Sequence, residues 1–173
     1  RLQSDLTYFN RDTGTTGMRA NLRPQVALPL RFGALSVDPS VVFDYTAYSL
    51  DKTAPGIAQS PSRSLPIYSV SLSTLLERTW GKDSAWRQAV EPRLQFVHVP
   101  YEDQSDMPVF DTIQPDFDLV QLFRTNRYVG LDRLGDTDQM NIGITTRLMR
   151  STDGSQVLTA TVGETRYFSK QDV

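Results

Sequence analysis

Cysteine is absent from the sequence, which excludes a disulfide framework and a thiolate metal site within it. Histidine occurs once, as His98, sharing the parity of Leu94 and Phe96, and reads as an interfacial side chain rather than a ligand. No apolar run reaches the roughly 18 residues of a transmembrane helix, although strands cross a bilayer with far fewer. Excess positive charge is also lacking. Lys plus Arg number 18 against 20 Asp plus Glu, a formal charge of −2, and binding driven by phosphate neutralisation needs the opposite balance. Nucleic acid is therefore not an expected partner. Lysine is scarce, at Lys52, Lys82 and Lys170 only, so the cations are mostly arginines. Arginine suits fixed, partly desolvated bidentate pairs, and that skew points to a polar interior. No repeat, low-complexity tract or signal peptide is visible, and the start at Arg1 reads as a piece of a longer protein or a mature segment.

What the chain does have is alternation with a period of two. Ala20, Leu22, Pro24, Val26, Leu28 and Leu30 share one parity, and Arg19, Asn21, Arg23 and Gln25 the other. The same alternation runs from Leu35 to Ala47, Tyr68 to Leu76, Trp86 to Phe96, Met140 to Leu148 and Leu158 to Val162, with a further strand at Leu2 to Tyr8. These strands exceed the usual length for globular proteins and match the about 9–11 residues that cross a hydrocarbon layer. Short turns around Phe32–Ala34, Gly81–Ser84 and Ser151–Gly154 alternate with longer connections at Asn10–Thr16, Asp51–Ser64 and Glu102–Asp138. Short turns on one rim and long loops on the other are the pattern of outer-membrane barrels. The expected fold is all-β: an antiparallel transmembrane β-barrel segment of about seven long strands, part of a larger barrel. Residues 1–173 form one partial outer-membrane barrel domain with a long loop at 102–138. An odd strand count does not close the usual bacterial barrel. Tyr45, Tyr48, Tyr68, Trp80, Trp86 and Tyr101 are placed for interface girdles, and Pro24 and Pro92 are candidate bulges.

The stretch "LVQLFRTNRYVGLDRLGDTDQ" breaks the alternation. Glu102, Asp103, Asp106, Asp111, Asp116 and Asp118 make the first half of the 102–138 loop acidic; Arg124, Arg127 and Arg133 make its second half basic. Two readings stay open. Arg–Asp pairs fix the shape of a self-packed loop, or Arg124, Arg127, Tyr128, Asp132 and Arg133 meet a partner inside a lumen. On the strands, Arg19, Arg23, Asp44, Glu91 and Arg93 read as lumen-facing polar residues. They show no base–nucleophile arrangement, so no catalytic residue is assigned. Asp132, Asp136 and Asp138 lack the glycine and terminal glutamate of a calcium loop, and no metal or cofactor is expected.

"VEPRLQFVHVPYEDQSDMPVFD", "LFRTNRYVGLDRLGDTDQMNIGITTRL" and "VGETRYF" stand in an order that resembles the LptD family. These are lipopolysaccharide-assembly proteins of the Gram-negative outer membrane, also called organic solvent tolerance proteins. "LRPQVALPL" is similar to a strand entering the middle of the family's barrel. The resemblance implies a non-enzymatic translocon in the bacterial outer membrane, surrounded by outer-membrane lipid. It implies lipopolysaccharide as cargo and an LptE-like lipoprotein plugging the lumen. It also implies a periplasmic transport bridge docked to an N-terminal domain outside these residues. The alternatives are a small self-contained outer-membrane barrel (porin, adhesin or receptor) and a soluble ligand-binding β-barrel, against which the interior charges argue.

Overall fold

A computed structural model describes every residue except 54, 56 and 57, which lie in the 53–61 connection. The described residues form one antiparallel sheet: β1 (Leu2–Phe9), β2 (Thr16–Ala27), β3 (Leu30–Phe32), β4 (Leu35–Lys52), β5 (Ser62–Thr74), β6 (Leu76–Trp80), β7 (Trp86–Val99), β8 (Thr137–Arg150) and β9 (Gln156–Tyr167). Its order is β1-β2-β4-β5-β7-β8-β9, with β3 paired to β4 and β6 paired to β7. Each strand therefore lies beside its neighbours in sequence, as hairpins dictate. Among the described residues β1 and β9 do not pair with each other, so the sheet is open, an arc of barrel wall.

The nine segments amount to seven strands. β3 continues β2 along β4 without a change of register, since Ala27 faces Ser40 and Leu30 faces Val37. β6 continues β5 along β7 in the same way, Ser73 facing Arg93 and Leu76 facing Val90. Prolines explain both interruptions. Pro29 has no N–H to give between β2 and β3, and Pro92 lies opposite the break between β5 and β6. Pro92 keeps its pairing with Ile144 on β8, so its missing donor falls on the β5/β6 side. Neither Pro24 nor Pro92 marks a bulge, contrary to the reading from sequence. Leu22–Tyr45 and Gln25–Val42 keep one register across Pro24. The register shifts lie instead at Thr16/Gly17 and at Leu148/Met149.

The hairpins meet their turn requirements locally. Gly33, at φ 61°, opens the two-residue turn between β3 and β4, where primed hairpin turns need a positive φ. β5 begins at Ser62, earlier than the alternation from Tyr68 indicates, and this places Arg63, Leu65 and Ile67 on a strand.

The two faces of the sheet are inverted relative to a soluble protein. On β2, Met18, Leu22 and Val26 are exposed, while Arg19 and Asn21 are buried. On β4, Val41, Phe43 and Tyr45 are exposed, while Asp44 and Thr46 are buried. The apolar face is bare, and the polar face is roofed by the 100–136 connection between β7 and β8. The small apolar core lies under that roof, as Leu65, Ile67, Val97, Val99 and Leu134 in one cluster and Tyr48, Leu50 and Met107 in another. Tyr48 therefore points inward under the loop and does not join an interface girdle. Trp80 and Trp86, facing each other across β6 and β7 near the short turns, stack at 6.2 Å.

Candidate functional site

The 100–136 loop crosses the polar face and touches every strand of the arc. Phe110 stacks on Phe9 of β1 with ring centroids 4.1 Å apart. Asp132 meets Arg19 of β2 and Tyr48 of β4, and its carbonyl accepts from Arg63 of β5. Phe123 packs beneath the Arg93 guanidinium of β7 at 4.4 Å. Leu122 and Phe123 fill the space above Gly143 of β8, and Leu122 that above Gly163 of β9.

One carboxylate organises the first anchor. Asp132 is fully buried. Its Oδ1 accepts from Arg19 Nη1 and Tyr48 Oη, each at 2.8 Å. Its Oδ2 accepts the backbone N–H groups of Phe110 (2.7 Å), Asp111 (2.8 Å) and Thr112 (3.2 Å). Burial acts to raise the carboxyl pKa. The Asp111 N–H, Arg19, Tyr48 and the Phe110 N–H outweigh it and bring the pKa down to about 2. The donors reach Asp132 because the loop doubles back on itself, with Ile113 and Val129 bridged in antiparallel fashion.

Arginines complete the anchor. Arg19 holds Asp111 through both terminal nitrogens, at 2.7 Å each, and reaches Asp5 at 3.4 Å. Arg63 donates to Asp44, Thr46, Gln104 and the carbonyls of Leu131 and Asp132. Gln104 passes the connection back into the loop, its amide donating to the Leu134 carbonyl at 2.7 Å. Arg23 Nε lies 2.9 Å from Asp44 Oδ2 yet is out of line for a hydrogen bond, so this contact is a plain ion pair. Breaking a buried pair such as Arg63–Asp44 or Arg19–Asp132 by removing one partner typically costs about 3–5 kcal/mol. The anchor therefore holds the loop to the wall with high specificity.

The second anchor is steric. Gly143 and Gly163 face each other across β8 and β9. A Cβ on Gly143 would stand 2.9 Å from Phe123 Cζ, and one on Gly163 would overlap Leu122 outright. The missing side chains leave a notch in the wall that "LF" occupies.

The residues expected from sequence fall into three groups. Arg19, Arg23, Asp44, Glu91 and Arg93 all lie on the loop-covered face, with Glu91 paired to Arg147 at 3.2 Å. Asp132 is turned into the fold, whereas Arg133 is half-buried. Arg133 donates to the carbonyls of Met107 (2.8 Å) and Pro108 (3.2 Å). Arg127 and Tyr128 are half-buried and meet at the Val173 carbonyl, while Arg124 is exposed. The structure adds Arg63, Tyr48, Gln104, Asp111 and the two notch glycines. Gln104 and Asp111 stood inside the quoted "EDQSDMPVFD" string; nothing local marked Arg63 or the glycines.

A family model described as "LPS transport system D" matches residues 1–173 of the chain. The chain belongs to the LptD family. The LPS-assembly protein LptD of Nitrosococcus oceani is 38% identical over 98% of the chain and 23% of its own length. That of Xanthomonas oryzae pv. oryzae is 41% identical over 95% of the chain and 21% of its own. That of Azoarcus sp. is 40% identical over 91% and 20%. The chain thus spans between a fifth and a quarter of the length of these LptD relatives. The infolded loop includes parts of the two longer strings quoted above, and the first anchor joins Asp111 of one to Asp132 of the other.

Proposed function

We propose that residues 1–173 are one contiguous arc of a larger outer-membrane barrel that assembles lipopolysaccharide into the outer leaflet of Gram-negative bacteria. The observation that carries this reading is the inversion of the sheet, with apolar side chains bare and arginines buried on the other face beneath an infolded loop. Such a wall suits lipid outside and a polar lumen inside. The arc's part is structural and non-enzymatic: it seals the lumen and presents the loop to it. Cargo enters from a periplasmic bridge docked elsewhere on the parent protein. An LptE-like lipoprotein occupies the lumen and meets the loop at Arg124, Arg127, Tyr128 and Arg133. Asp132, saturated within the fold, positions that surface.

Single cysteines at Arg93, Leu94, Gln95 and Phe96 of the intact parent, with native cysteines masked, test the reading in membranes. A lipid-phase probe is expected to react at Leu94 and Phe96, and an aqueous reagent at Arg93 and Gln95. Equal aqueous labelling at all four positions would remove the membrane-spanning wall and the function built on it.

A further inference from the structure

β6, β7 and β8 run to the short connections at 81–85 and 151–155. In an outer-membrane barrel the short turns lie on the periplasmic rim. Toward that rim the bare-face residues of these strands change character in a fixed order. Deepest in the wall, Leu72, Pro92, Leu94, Ile142 and Ile144 line an apolar hollow of about 310 Å³ beside the break between β5 and β6. The next positions rimward turn polar. Thr146 follows Ile144 on the same face of β8, and Gln88 lies beyond Val90 on β7, facing Arg78 of β6. Arg78 Nε donates to Gln88 Oε1 at 2.9 Å, and Gln88 Nε2 donates to Thr146 Oγ1 at 3.1 Å. Last, at the rim itself, Trp80, Trp86 and Arg150 stand side by side as cross-strand partners.

A hydrogen-bonded polar stripe thus crosses three strands on the face that otherwise carries apolar side chains, one step inside the tryptophan pair. Its arginine is incomplete. Arg78 is exposed, and its two terminal nitrogens make no hydrogen bond or ion pair among the described residues. Arg150, by contrast, is paired to Asp153 at 3.4 Å. Between the hollow and the rim, no bare-face position of β6, β7 or β8 is acidic. A guanidinium fixed through Nε and free at its fork suits two oxygens of a phosphate. The leaflet at this rim is the one opposite the lipopolysaccharide, so the phosphate at this depth belongs to a glycerophospholipid.

We propose that the short-turn end of the bare face seats one glycerophospholipid of the periplasmic leaflet. The Arg78 fork holds its phosphate, the second N–H of the Gln88 amide donates to an ester carbonyl, and one acyl chain lies in the hollow. The assignment rests on the membrane-wall reading above.

The test uses the full-length parent in phosphatidylethanolamine nanodiscs doped with the same lipid carrying a diazirine midway along one acyl chain. Adducts are mapped by mass spectrometry after photolysis. Leu94 and Ile144 are expected to carry about tenfold more adduct than Leu2 and Leu6, which are exposed on the same face of β1; tenfold is the weight of one charge-assisted hydrogen bond. Arg78→Gln, an exposed change, is expected to bring the two sites level. A diacylglycerol probe with the same labelled chain and no phosphate is expected to show no excess. Leu72→Trp fills the hollow and is expected to remove the excess of the phospholipid probe. Equal labelling of the hollow and β1 in the parent would overturn the seat while leaving the membrane wall standing. An undiminished excess in Arg78→Gln, in Leu72→Trp or with the diacylglycerol probe would overturn it too. No labelling at any of the four positions would remove the wall, and the seat with it.

Discussion

Gly143 and Gly163 stand opposite each other on β8 and β9, and Leu122 fills the space their absent side chains leave. The pair makes the wall locally thin so that an apolar knob from the loop can dock without a cavity. Gly163→Val is expected to expel Leu122, because the clash there includes the Ile142 carbonyl as well as the leucine. Gly143→Ala meets chiefly the far edge of the Phe123 ring, which can swing, and is expected to cost less. Limited proteolysis of the folded parent in detergent reads the difference. Cleavage within 119–127 should rise about tenfold or more in Gly163→Val, equivalent to about 1.4 kcal/mol of loop opening.

Asp132→Ala removes the acceptor of two side chains and three backbone N–H groups in one step. A loss of about 3–5 kcal/mol is expected, against about 1 kcal/mol for Tyr48→Phe, which deletes one of those bonds. Denaturant unfolding of the parent in detergent measures both. Equal losses would mean that Asp111 takes over the anchoring of Arg19.

The same carboxylate makes the loop acid-sensitive. Its folded pKa of about 2 lies below the ordinary value of 3.8, so the stabilisation is complete above about pH 4. It is lost as pH falls from there through about 2. Pepsin, active across this window, is expected to spare the loop at its upper end and cut it at its lower end. An Asp132→Asn parent should show no such transition; an unchanged one would assign the sensitivity to another group.

Arg63→Lys keeps the charge but cannot keep the contacts. Arg63 donates five hydrogen bonds from two terminal nitrogens, and a lysine has only three donors on one. Each buried acceptor left unpaired costs about 1–3 kcal/mol. Arg23→Lys, partly exposed and held by one ion pair, is expected to cost under about 1 kcal/mol. A similar fall in unfolding midpoint for both would contradict the central place given to Arg63.

By itself the 1–173 chain exposes two unpaired strand edges and a continuous apolar face. Without detergent it is expected to elute from size exclusion as aggregate. A monodisperse folded monomer in buffer alone would contradict that.

Strands were legible wherever one face is polar and the other apolar, as along β2 and the lower part of β4. Legibility failed at the long-loop ends. Tyr48, Leu50, Leu65 and Ile67 face inward there, but the loop roofs them, so apolar residues occupy both faces and the alternation vanishes. Arg63 was hidden for the same reason, sitting in "SPSRSL", which reads as the end of a loop. The loop's acidic and basic halves were visible, but the partner of Asp132 was not. Arg19 is distant in sequence, and only the folding of the loop across the sheet brings them together. Gly143 and Gly163 are ordinary strand glycines until Leu122 is placed above them. Proline's effect was misplaced because one missing N–H can be absorbed on one side of a strand without shifting its register.

A loop fastened at Phe9 and Arg19 near one edge of the arc, and at Gly163 near the other, acts as the string of a bow. Its length between those fastenings limits how far the two edges of the arc can move apart. Large barrels have shallow walls that flatten easily, since each added strand dilutes the curvature. Here a single covalently attached segment ties the first strands of the arc to the last, so those strands cannot spread apart without breaking one of the fastenings.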